Sequence, residues 1–178
     1  MLFRSGTSAW SKVSWVGVFY PDGTKPSDFL ARYAEKYDCV EIDSTFYRIP
    51  TAAMIRKWVA DTPGQFLFAA KVPHVITHEK MMLECDEDLK AFLKAMDGLG
   101  GKLGPLLLQF PYFNKSVFAS GRDFYARLEG FLKKLPRGYQ WALEIRNKYW
   151  ITSHFLDLLR DHSVAYALID QSWMPSID

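Results

Sequence analysis

The amino-acid sequence predicts an α/β fold. Five amphipathic helical patterns alternate with six short apolar runs along the 178 residues, and this alternation is typical of βαβ units around a parallel sheet buried on both faces. Polar side chains recur where the apolar runs end, as in α/β proteins whose functional groups gather at the carboxyl edge of the sheet. No repeat, low-complexity segment or flexible linker divides the chain, so we expect one domain over residues 1–178.

The predicted strands are short apolar runs bounded by turn-forming residues. They occupy residues 3–8, 39–45, 66–73, 104–111, 140–146 and 165–170. The segment "GLGGKLGP" at residues 98–105 resembles a phosphate-binding loop only superficially, because the Ser/Thr and the upstream Gly of that motif are missing. We interpret it as the end of a helix and the turn into the fourth strand.

The predicted helices carry apolar residues three and four positions apart. They occupy residues 27–37, 51–61, 86–99, 122–135 and 153–162. Ser27 and Thr51 stand where the caps of the first and second helices are expected. Acidic residues fill the first turn of the third helix, where they interact favourably with the helix dipole.

Composition excludes several classes of function. With 49% hydrophobic and 24% charged residues, the chain is an ordinary globular sequence that can bury a sizeable core. A net charge of +2 with scattered basic residues is a weak electrostatic signal for nucleic acid. Cys39 and Cys85 lack CxxC spacing, which favours a reduced, cytoplasmic protein. Neither a signal peptide nor a membrane-length apolar run is present, so no membrane partner is expected.

The polar residues at the strand ends are the candidate functional residues. Side chains two positions apart on a strand share a face, so the carboxyl ends of the six strands should bring several of them to one edge. These residues are Thr7, Glu41, Asp43, Lys71, Gln109, Glu144, Arg146 and Asp170. The alternative is a purely structural network of ion pairs, with Glu41 bound to Lys71 and Glu144 bound to Arg146.

Aromatic residues follow the same strands, in a chain that is 16% aromatic. Trp10, Tyr47 and Trp150 are candidates to stack on a sugar face or a nucleobase. The alternative is that these rings fill the core. His78 lies in the segment that follows Lys71 and is a candidate general acid or base, the alternative being a hydrogen-bonding loop residue.

The carboxylates at the strand ends could instead form a metal site. Glu41, Asp43, Glu144 and Asp170 could together hold a divalent cation, but basic side chains at the same strand ends would compete for them and no His/Asp ligand spacing is present. We therefore predict no metal and no other cofactor.

Six motifs in order resemble the YecE-like family, bacterial and archaeal domains of unknown function. They are "GTSAW", "GVFYP", "VEIDSTFYRIP", "FAAKVPHVITH", "LLLQFP" and "EIRNKYW". Ala9 and Asp43 depart from the family pattern, in which Gly and Asn are common, so the second strand here carries one more charge than usual. The resemblance implies a TIM (β/α)₈ barrel. Because such a barrel needs about 250 residues, we expect about six β/α units here and a chain truncated before the last two strands.

The leading functional hypothesis is an enzyme acting on a small polar substrate that carries a sugar or a phosphate. Glu41 and Glu144 share the acid/base chemistry in it, and Lys71 and Arg146 hold an anionic group. A variant makes Lys71 a Schiff-base nucleophile. The rival hypothesis is a module that binds nucleic acid or a metabolite without turnover. Thr7 and Gln109 are expected to orient the ligand.

Overall fold

The computed structural model describes residues 3–175 and has an α/β fold. Its strands are β1 Cys39–Ile42, β2 Leu67–Lys71, β3 Leu103–Gln109, β4 Trp141–Glu144 and β5 Val164–Tyr166. Its α-helices are α1 Phe29–Ala34, α2 Ala52–Ala60, α3 Asp86–Met96, α4 Gly121–Leu132 and α5 Ser153–Asp161. The strands form a five-stranded sheet in chain order, and the β1/β2, β3/β4 and β4/β5 pairs are parallel. The predicted α/β class is confirmed.

The chain divides into two compact units, which are described separately. The first unit runs as far as Lys71 and includes Lys90–Gly104. The second unit comprises Val72–Leu89 and continues from Pro105. The expectation of a single domain over residues 1–178 stays a prediction.

In the first unit, β1 and β2 alternate between buried and half-exposed side chains. Val40 and Ile42 of β1 are buried, as are Phe68 and Ala70 of β2, whereas the intervening residues are only half-buried. The parallel register pairs Glu41 with Ala69, which places both on the half-exposed face. The prediction of a sheet buried on both faces was therefore wrong for these strands. Alternation leaves the second face accessible for polar side chains.

In the second unit, β4 shows the same alternation and the core is rich in phenylalanine. Trp141 and Leu143 of β4 are buried and Glu144 is half-exposed. Phe110, Phe124 and the neighbouring aromatic residues pack behind the sheet. The register pairs Gln109 of β3 with Glu144 of β4, so these two polar residues are cross-strand neighbours.

The first predicted strand is not formed. Residues 3–8 make no strand, although the carbonyl of Thr7 accepts a backbone hydrogen bond of 3.0 Å from the Glu41 amide. Gly6 approaches β1 so closely that a Cβ atom on it would lie 2.1 Å from the Cys39 carbonyl oxygen. The segment therefore runs beside β1 without completing a ladder, because its Ser and Gly residues have little preference for extended strands.

The last predicted strand is shorter than expected. β5 ends at Tyr166, and Asp170 lies four positions beyond it and is exposed. The apolar run at residues 165–170 thus predicted the element and misplaced its end. Asp170 does not close a strand, and that part of the prediction was wrong.

Helix starts follow the capping rules with one exception. The Thr51 hydroxyl accepts a hydrogen bond from the Met54 amide, as the sequence predicts. Ser120 and Asp123 form a capping box at the start of α4. Ser27 does not cap α1, because it lies within the 3₁₀ turn Pro26–Asp28 and its hydroxyl bonds to the Asp28 carboxylate. In residues 3–175, no helix has the length and apolar character needed to cross a bilayer.

Candidate functional site

The first unit holds an ion-pair cluster at the carboxyl ends of β1 and β2. Lys71 Nζ lies 2.5 Å from Asp43 Oδ1 and 3.6 Å from Glu41 Oε1. The same ammonium lies 5.5 Å from the centre of the Phe46 ring, within the range of a cation–π interaction. Only 12% of the Lys71 side chain is exposed. The structure therefore brings together three of the residues singled out in the sequence.

The local backbone explains how two carboxylates reach one lysine. Glu41 lies on the half-exposed face of β1, and Asp43 begins the 3₁₀ turn Asp43–Phe46 directly after that strand. Thr45 fixes this turn, because its hydroxyl lies 2.7 Å from the carbonyl oxygens of both Ile42 and Lys71. The turn is thus held against the end of β2, where Lys71 is the last residue.

This geometry argues against a nucleophilic lysine. A lysine attacks a carbonyl as its neutral amine, whereas both ion pairs are made by the ammonium form. A cation that already faces two carboxylates is better suited to holding those carboxylates in place, or to contacting an anionic ligand group alongside them.

We predict that Lys71→Met lowers the free energy of unfolding by about 1–2 kcal/mol. The change leaves two neighbouring carboxylates without their counter-charge, and their partial exposure keeps the cost below that of a fully buried pair. Urea denaturation measures the effect. Adding Asp43→Asn to Lys71→Met should recover part of the loss, because one of the two like charges disappears.

The matched control for this prediction is Lys133→Met, which breaks the pair between Lys133, just after α4, and Glu129; these two side chains are 62% and 47% exposed. An exposed helical pair contributes about 0.5 kcal/mol or less. Equal losses for Lys71→Met and Lys133→Met would contradict a special role for the Lys71 cluster.

Thr7 is occupied by structural hydrogen bonds. Its hydroxyl lies 2.6 Å from the Ala9 carbonyl oxygen, and its amide donates to the Tyr33 hydroxyl at 2.7 Å. The Tyr33 hydroxyl in turn lies 3.1 Å from the Cys39 carbonyl oxygen, which ties the segment to β1. Burial raises the pKa of Tyr33 and raises that of its neighbour Tyr20 to about 12. This arrangement anchors the "GTSAW" segment.

The two aromatic candidates of the first unit differ in their surroundings. Trp10 is half-buried and packs edge-on against Trp58, with ring centres 5.5 Å apart. Tyr47 is exposed and its ring meets Phe46 edge-on. Tyr47 presents an accessible ring face for a ligand, whereas Trp10 contributes to the packing around α2.

The second unit holds a polar cluster at the carboxyl ends of β3 and β4. Glu144 Oε1 accepts a hydrogen bond of 2.8 Å from Gln109 Nε2 and one of 3.4 Å from Arg146 Nε. The Glu144 side chain is only 15% exposed. Within residues 3–175 its second oxygen, Oε2, receives no hydrogen bond. One oxygen is thus fixed by two donors and the other is available to a ligand.

Tyr166 at the end of β5 is an additional neighbour of this carboxylate. Burial is the main cause that raises the pKa of the Tyr166 phenol, and the negative charge of Glu144 adds to it. The Tyr166 ring packs edge-on against Phe155 of α5, which fixes its position. The phenol therefore remains a neutral hydrogen-bonding group beside Glu144.

A cavity of about 380 Å³ lies in the second unit, between the loops that follow β3 and β4. Its aromatic lining comprises Tyr112, Phe113, Phe118, Tyr149, Trp150 and Trp173. Arg146 also lines it and connects it to the Glu144 cluster. A volume of this size is typical of small-molecule sites.

Trp150 forms the floor of this cavity. Its ring stacks on Phe124 with centres 5.3 Å apart and also contacts Phe113 and Phe118. Gly121 passes so close that a Cβ atom there would lie 2.9 Å from the Trp150 ring. Trp150 is half-buried, since its ring packs on core phenylalanines and also lines the cavity, and its stacking on a ligand stays a prediction.

Asn147 joins the two loops that form the cavity. Its side-chain oxygen accepts a hydrogen bond of 2.9 Å from the Phe113 amide, and its Nδ2 donates one of 2.8 Å to the Phe113 carbonyl. Asn147 is buried. The side-chain amide of Asn147 thus provides hydrogen-bond partners for both the N–H and the C=O of buried Phe113. These two bonds fix the loop after β3 to the loop after β4.

His78 and Asp170 are the remaining candidates from the sequence. His78 belongs to the π-helical turn Val75–Glu79, and its Nδ1 lies 2.8 Å from the Thr77 hydroxyl. Asp170 is exposed beyond the end of β5. In the part of the chain that the structure covers, no three His, Cys, Asp or Glu side chains are grouped so that they could bind a metal ion.

The motifs and fold point to one family of proteins. A family model described as "Protein of unknown function DUF72" matches residues 4–177. The chain belongs to the DUF72 family. Its resemblance to the YecE-like proteins is confirmed by UPF0759 protein YecE of Escherichia coli strain K12, which is 30% identical over 142 residues, or 80% of this chain and 47% of the relative.

Other members of the DUF72 family show the same relationship. UPF0759 protein YunF of Bacillus subtilis strain 168 is 30% identical over 144 residues, or 78% of this chain and 49% of the relative. The chain spans about half the length of the curated relatives it matches. The crystal structure of a DUF72 family protein from Thermotoga maritima MSB8 matches with a TM-score of 0.78 and 30% identity, covering 94% of this chain and 64% of that chain.

Two features of this DUF72 chain were missed by reasoning from the sequence. Asn147 lies within the motif "EIRNKYW" but was not singled out, because an amide side chain in a loop gives no sign of the backbone it bonds. Tyr149 follows the fifth predicted strand, beside Trp150, but nothing in the sequence marked it as lining a cavity. A polar residue followed by three aromatic or basic residues is the signal that could have drawn attention to both.

Proposed function

We propose that this DUF72 chain is part of an enzyme that acts on a small polar substrate carrying an anionic group, with Glu144 as the acid/base residue. The observation that carries the proposal is the Glu144 carboxylate, with one oxygen fixed by Gln109 and Arg146 and the other without a donor among residues 3–175. A positioned carboxylate of limited exposure is the group that proton transfer requires.

Each neighbour of Glu144 has a role in this proposal. The two donors hold the carboxylate in one orientation, which removes the cost of orienting it during the reaction. Arg146 is 40% exposed and also lines the cavity, so its guanidinium can contact an anionic group of the substrate. Tyr166 supplies a neutral phenol near the same carboxylate.

The Lys71 cluster enters the proposal as a second anion-binding group. Its ammonium is held by Glu41 and Asp43, and Asp43 is 42% exposed. We assign Glu41 a supporting electrostatic role there, since its carboxylate already pairs with a lysine. Exposed Tyr47 offers a stacking surface in the same unit. His78 stays a candidate for proton transfer in the second unit.

We further infer that the fold is of the (β/α)₈ barrel type, with the Glu144 cluster at the carboxyl edge of its strands. Parallel strands that follow one another in chain order support this inference, as do the helices between them. The half-exposed face of β1, β2 and β4 carries the polar residues, as the inner face of a barrel does at its mouth.

Replacement of Glu144 by Gln tests the proposal. We expect the purified chain to turn over members of a panel of sugar phosphates and glycosides, and Glu144→Gln to reduce that turnover about 100-fold. Glutamine preserves the shape of the side chain and removes its ability to exchange a proton. Unchanged turnover by Glu144→Gln would refute the acid/base assignment.

Glu129→Gln is the matched control for this experiment. Glu129 lies on α4 in the same unit and pairs with Lys133 on the surface, and the pKa of its carboxyl is lowered by its hydrogen bond to Lys133. The substitution makes the same chemical change away from the cavity. It should leave turnover unaltered.

A second candidate function is ligand binding without turnover. It is favoured by the exposed rings at the cavity rim, since Tyr112 is 69% exposed and Tyr149 is 84% exposed. Exposed aromatic side chains next to cations are typical of surfaces that stack nucleobases. Ligand binding by a chain that turns over no panel substrate would support this candidate, and a steep fall of affinity with salt would indicate phosphate contacts.

A further inference from the structure

The charge of the cavity in the second unit selects for anions. Lys115, Arg146 and Lys148 line it, and among residues 3–175 no Asp or Glu does so. The Glu144 carboxylate, which does not line the cavity, pairs with Arg146 through Oε1 at 3.4 Å from Nε. Three cations with one neighbouring carboxylate leave an excess of positive charge, whose potential is strengthened where apolar walls exclude water.

The rings of the cavity form two distinct groups. Phe113, Phe118 and Trp150 make a packed floor in which Phe113 and Phe118 are buried and lie 5.0 Å apart between ring centres. Tyr149 and Trp173 stand at the rim and are 84% and 53% exposed. A rigid floor with accessible rings above it suits a flat ligand that inserts between them.

The positive charge and the aromatic rings belong to one cavity, so its ligand should carry both an anionic group and a planar ring. A sugar phosphate would use the cations and leave most of the aromatic lining without a partner. A neutral aromatic compound would use the rings and leave the excess positive charge of the cavity unneutralised. A compound with both a planar ring and a phosphate satisfies the whole lining, and about 380 Å³ is enough for one nucleotide rather than several.

The position of Lys148 supports the same assignment. Its Nζ lies 5.1 Å from the centre of the Tyr149 ring. A cation beside a stacking ring places the phosphate site at the edge of the base site, which is the arrangement that a mononucleotide requires. Arg146 lies two positions before Lys148 in the chain. It also lines the cavity and pairs with Glu144.

We infer that this cavity binds a nucleoside monophosphate, with the base against Tyr149 and Trp173 and the phosphate on Lys115, Arg146 and Lys148. The inference rests on the proposed function, because it names the substrate class for the Glu144 site. Glu144 is then connected to the ligand through Arg146, which lines the cavity and pairs with the carboxylate.

Calorimetric titration of the purified chain tests the inference with three probes. They are adenosine monophosphate, adenosine without its phosphate, and ribose phosphate without a base. Because ring and cations both contribute, we expect the monophosphate to bind about tenfold more tightly than either fragment. Equal affinity for the monophosphate and ribose phosphate would overturn the role of the rings, and equal affinity for adenosine would overturn that of the cations.

Paired variants locate the binding site. Tyr149→Ala should weaken binding of adenosine monophosphate about tenfold, whereas Tyr149→Phe keeps the ring and should bind as the parent does. Lys115→Ala should weaken the monophosphate about tenfold and leave adenosine unchanged. Lys36→Ala removes the same charge from an exposed position in the turn after α1, in the first unit, and serves as the control. Parent-like binding by both Tyr149→Ala and Lys115→Ala would refute the cavity as the site.

Glu144→Gln separates the two proposals. If it abolishes turnover of a panel substrate while no nucleotide binds, the inferred ligand is wrong and the acid/base assignment stands. If the monophosphate binds as expected and nothing is turned over, the cavity assignment stands and the enzymatic proposal fails. Binding of a single-stranded oligonucleotide without binding of the mononucleotide would overturn the assignment of a free nucleotide.

Discussion

Phe124→Ala is expected to lower the free energy of unfolding by about 3–5 kcal/mol, since that is the usual cost of removing a large aromatic side chain from a core. Phe124 is 0% exposed. Its ring centre lies 5.3 Å from Trp150, 5.4 Å from Phe110 and 5.5 Å from Phe118. The substitution removes the side chain on which the cavity floor rests, and urea denaturation followed by tryptophan fluorescence measures the loss.

Two controls make the Phe124 prediction specific. Phe124→Leu keeps most of the apolar volume and should cost clearly less than Phe124→Ala. Tyr149→Ala removes an aromatic ring of similar size from an 84% exposed position, and should change stability by about 0.5 kcal/mol or less. A Phe124→Ala loss as small as that of Tyr149→Ala would show that the floor is not a packed core.

Asn147→Ala is expected to lower the free energy of unfolding by about 2–4 kcal/mol, since each buried polar group left without a partner costs about 1–3 kcal/mol. The substitution leaves both the amide and the carbonyl of Phe113 without their partner. Binding in the cavity should weaken in the same variant, because the loop after β3 is no longer held. Urea denaturation and ligand titration measure the two effects.

Asn114→Ala and Asn147→Asp test the mechanism of this loss. Asn114 lies in the same loop, is exposed, and bonds the Ser116 amide at 2.9 Å, so its replacement should have a much smaller effect. Asp at position 147 keeps the acceptor for the Phe113 amide and loses the donor to the Phe113 carbonyl. Stability of Asn147→Asp equal to that of the parent would contradict the bidentate account.

Residue alternation correctly predicted the ion pair between the ends of β1 and β2. Glu41 and Lys71 were expected on one face at neighbouring strand ends, and the structure places their charged groups 3.6 Å apart. This contact depends on the regular geometry of a strand, in which sequence position determines the side-chain direction. Glu144 and Arg146 also lie within 3.4 Å of each other, but Arg146 is two positions beyond the end of β4, so strand geometry does not explain that pair.

The same reasoning failed where the chain leaves regular structure. Residues 3–8 were counted among the short apolar runs and assigned to a strand, yet only the hydrogen bond from the Glu41 amide to the Thr7 carbonyl resembles a ladder. Asp170 was placed at a strand end, but β5 stops at Tyr166. The extent of a strand depends on which backbone groups find partners in the folded chain, and hydrophobic pattern alone does not contain that information.

The cavity could not be predicted because loops build it. Phe113 and Tyr149 are 36 positions apart by their numbers, and their approach depends on the conformations of two connections without periodic structure. Aromatic composition indicated that rings would gather near the strand ends. Which rings pack in the floor and which are exposed at the rim can be seen only from the contacts in the structure.

The hydrogen bonds of the Asn147 side chain make the loop after β3 and the loop after β4 dependent on each other, which matters for protein engineering. A loop graft that replaces residues 111–119 alone would have to present one amide and one carbonyl where Phe113 now presents them, or Asn147 would be buried without partners. Libraries that vary specificity should therefore exchange both loops together. Otherwise they should preserve the hydrogen bonds between the backbone of residue 113 and the Asn147 side chain while the neighbouring residues change.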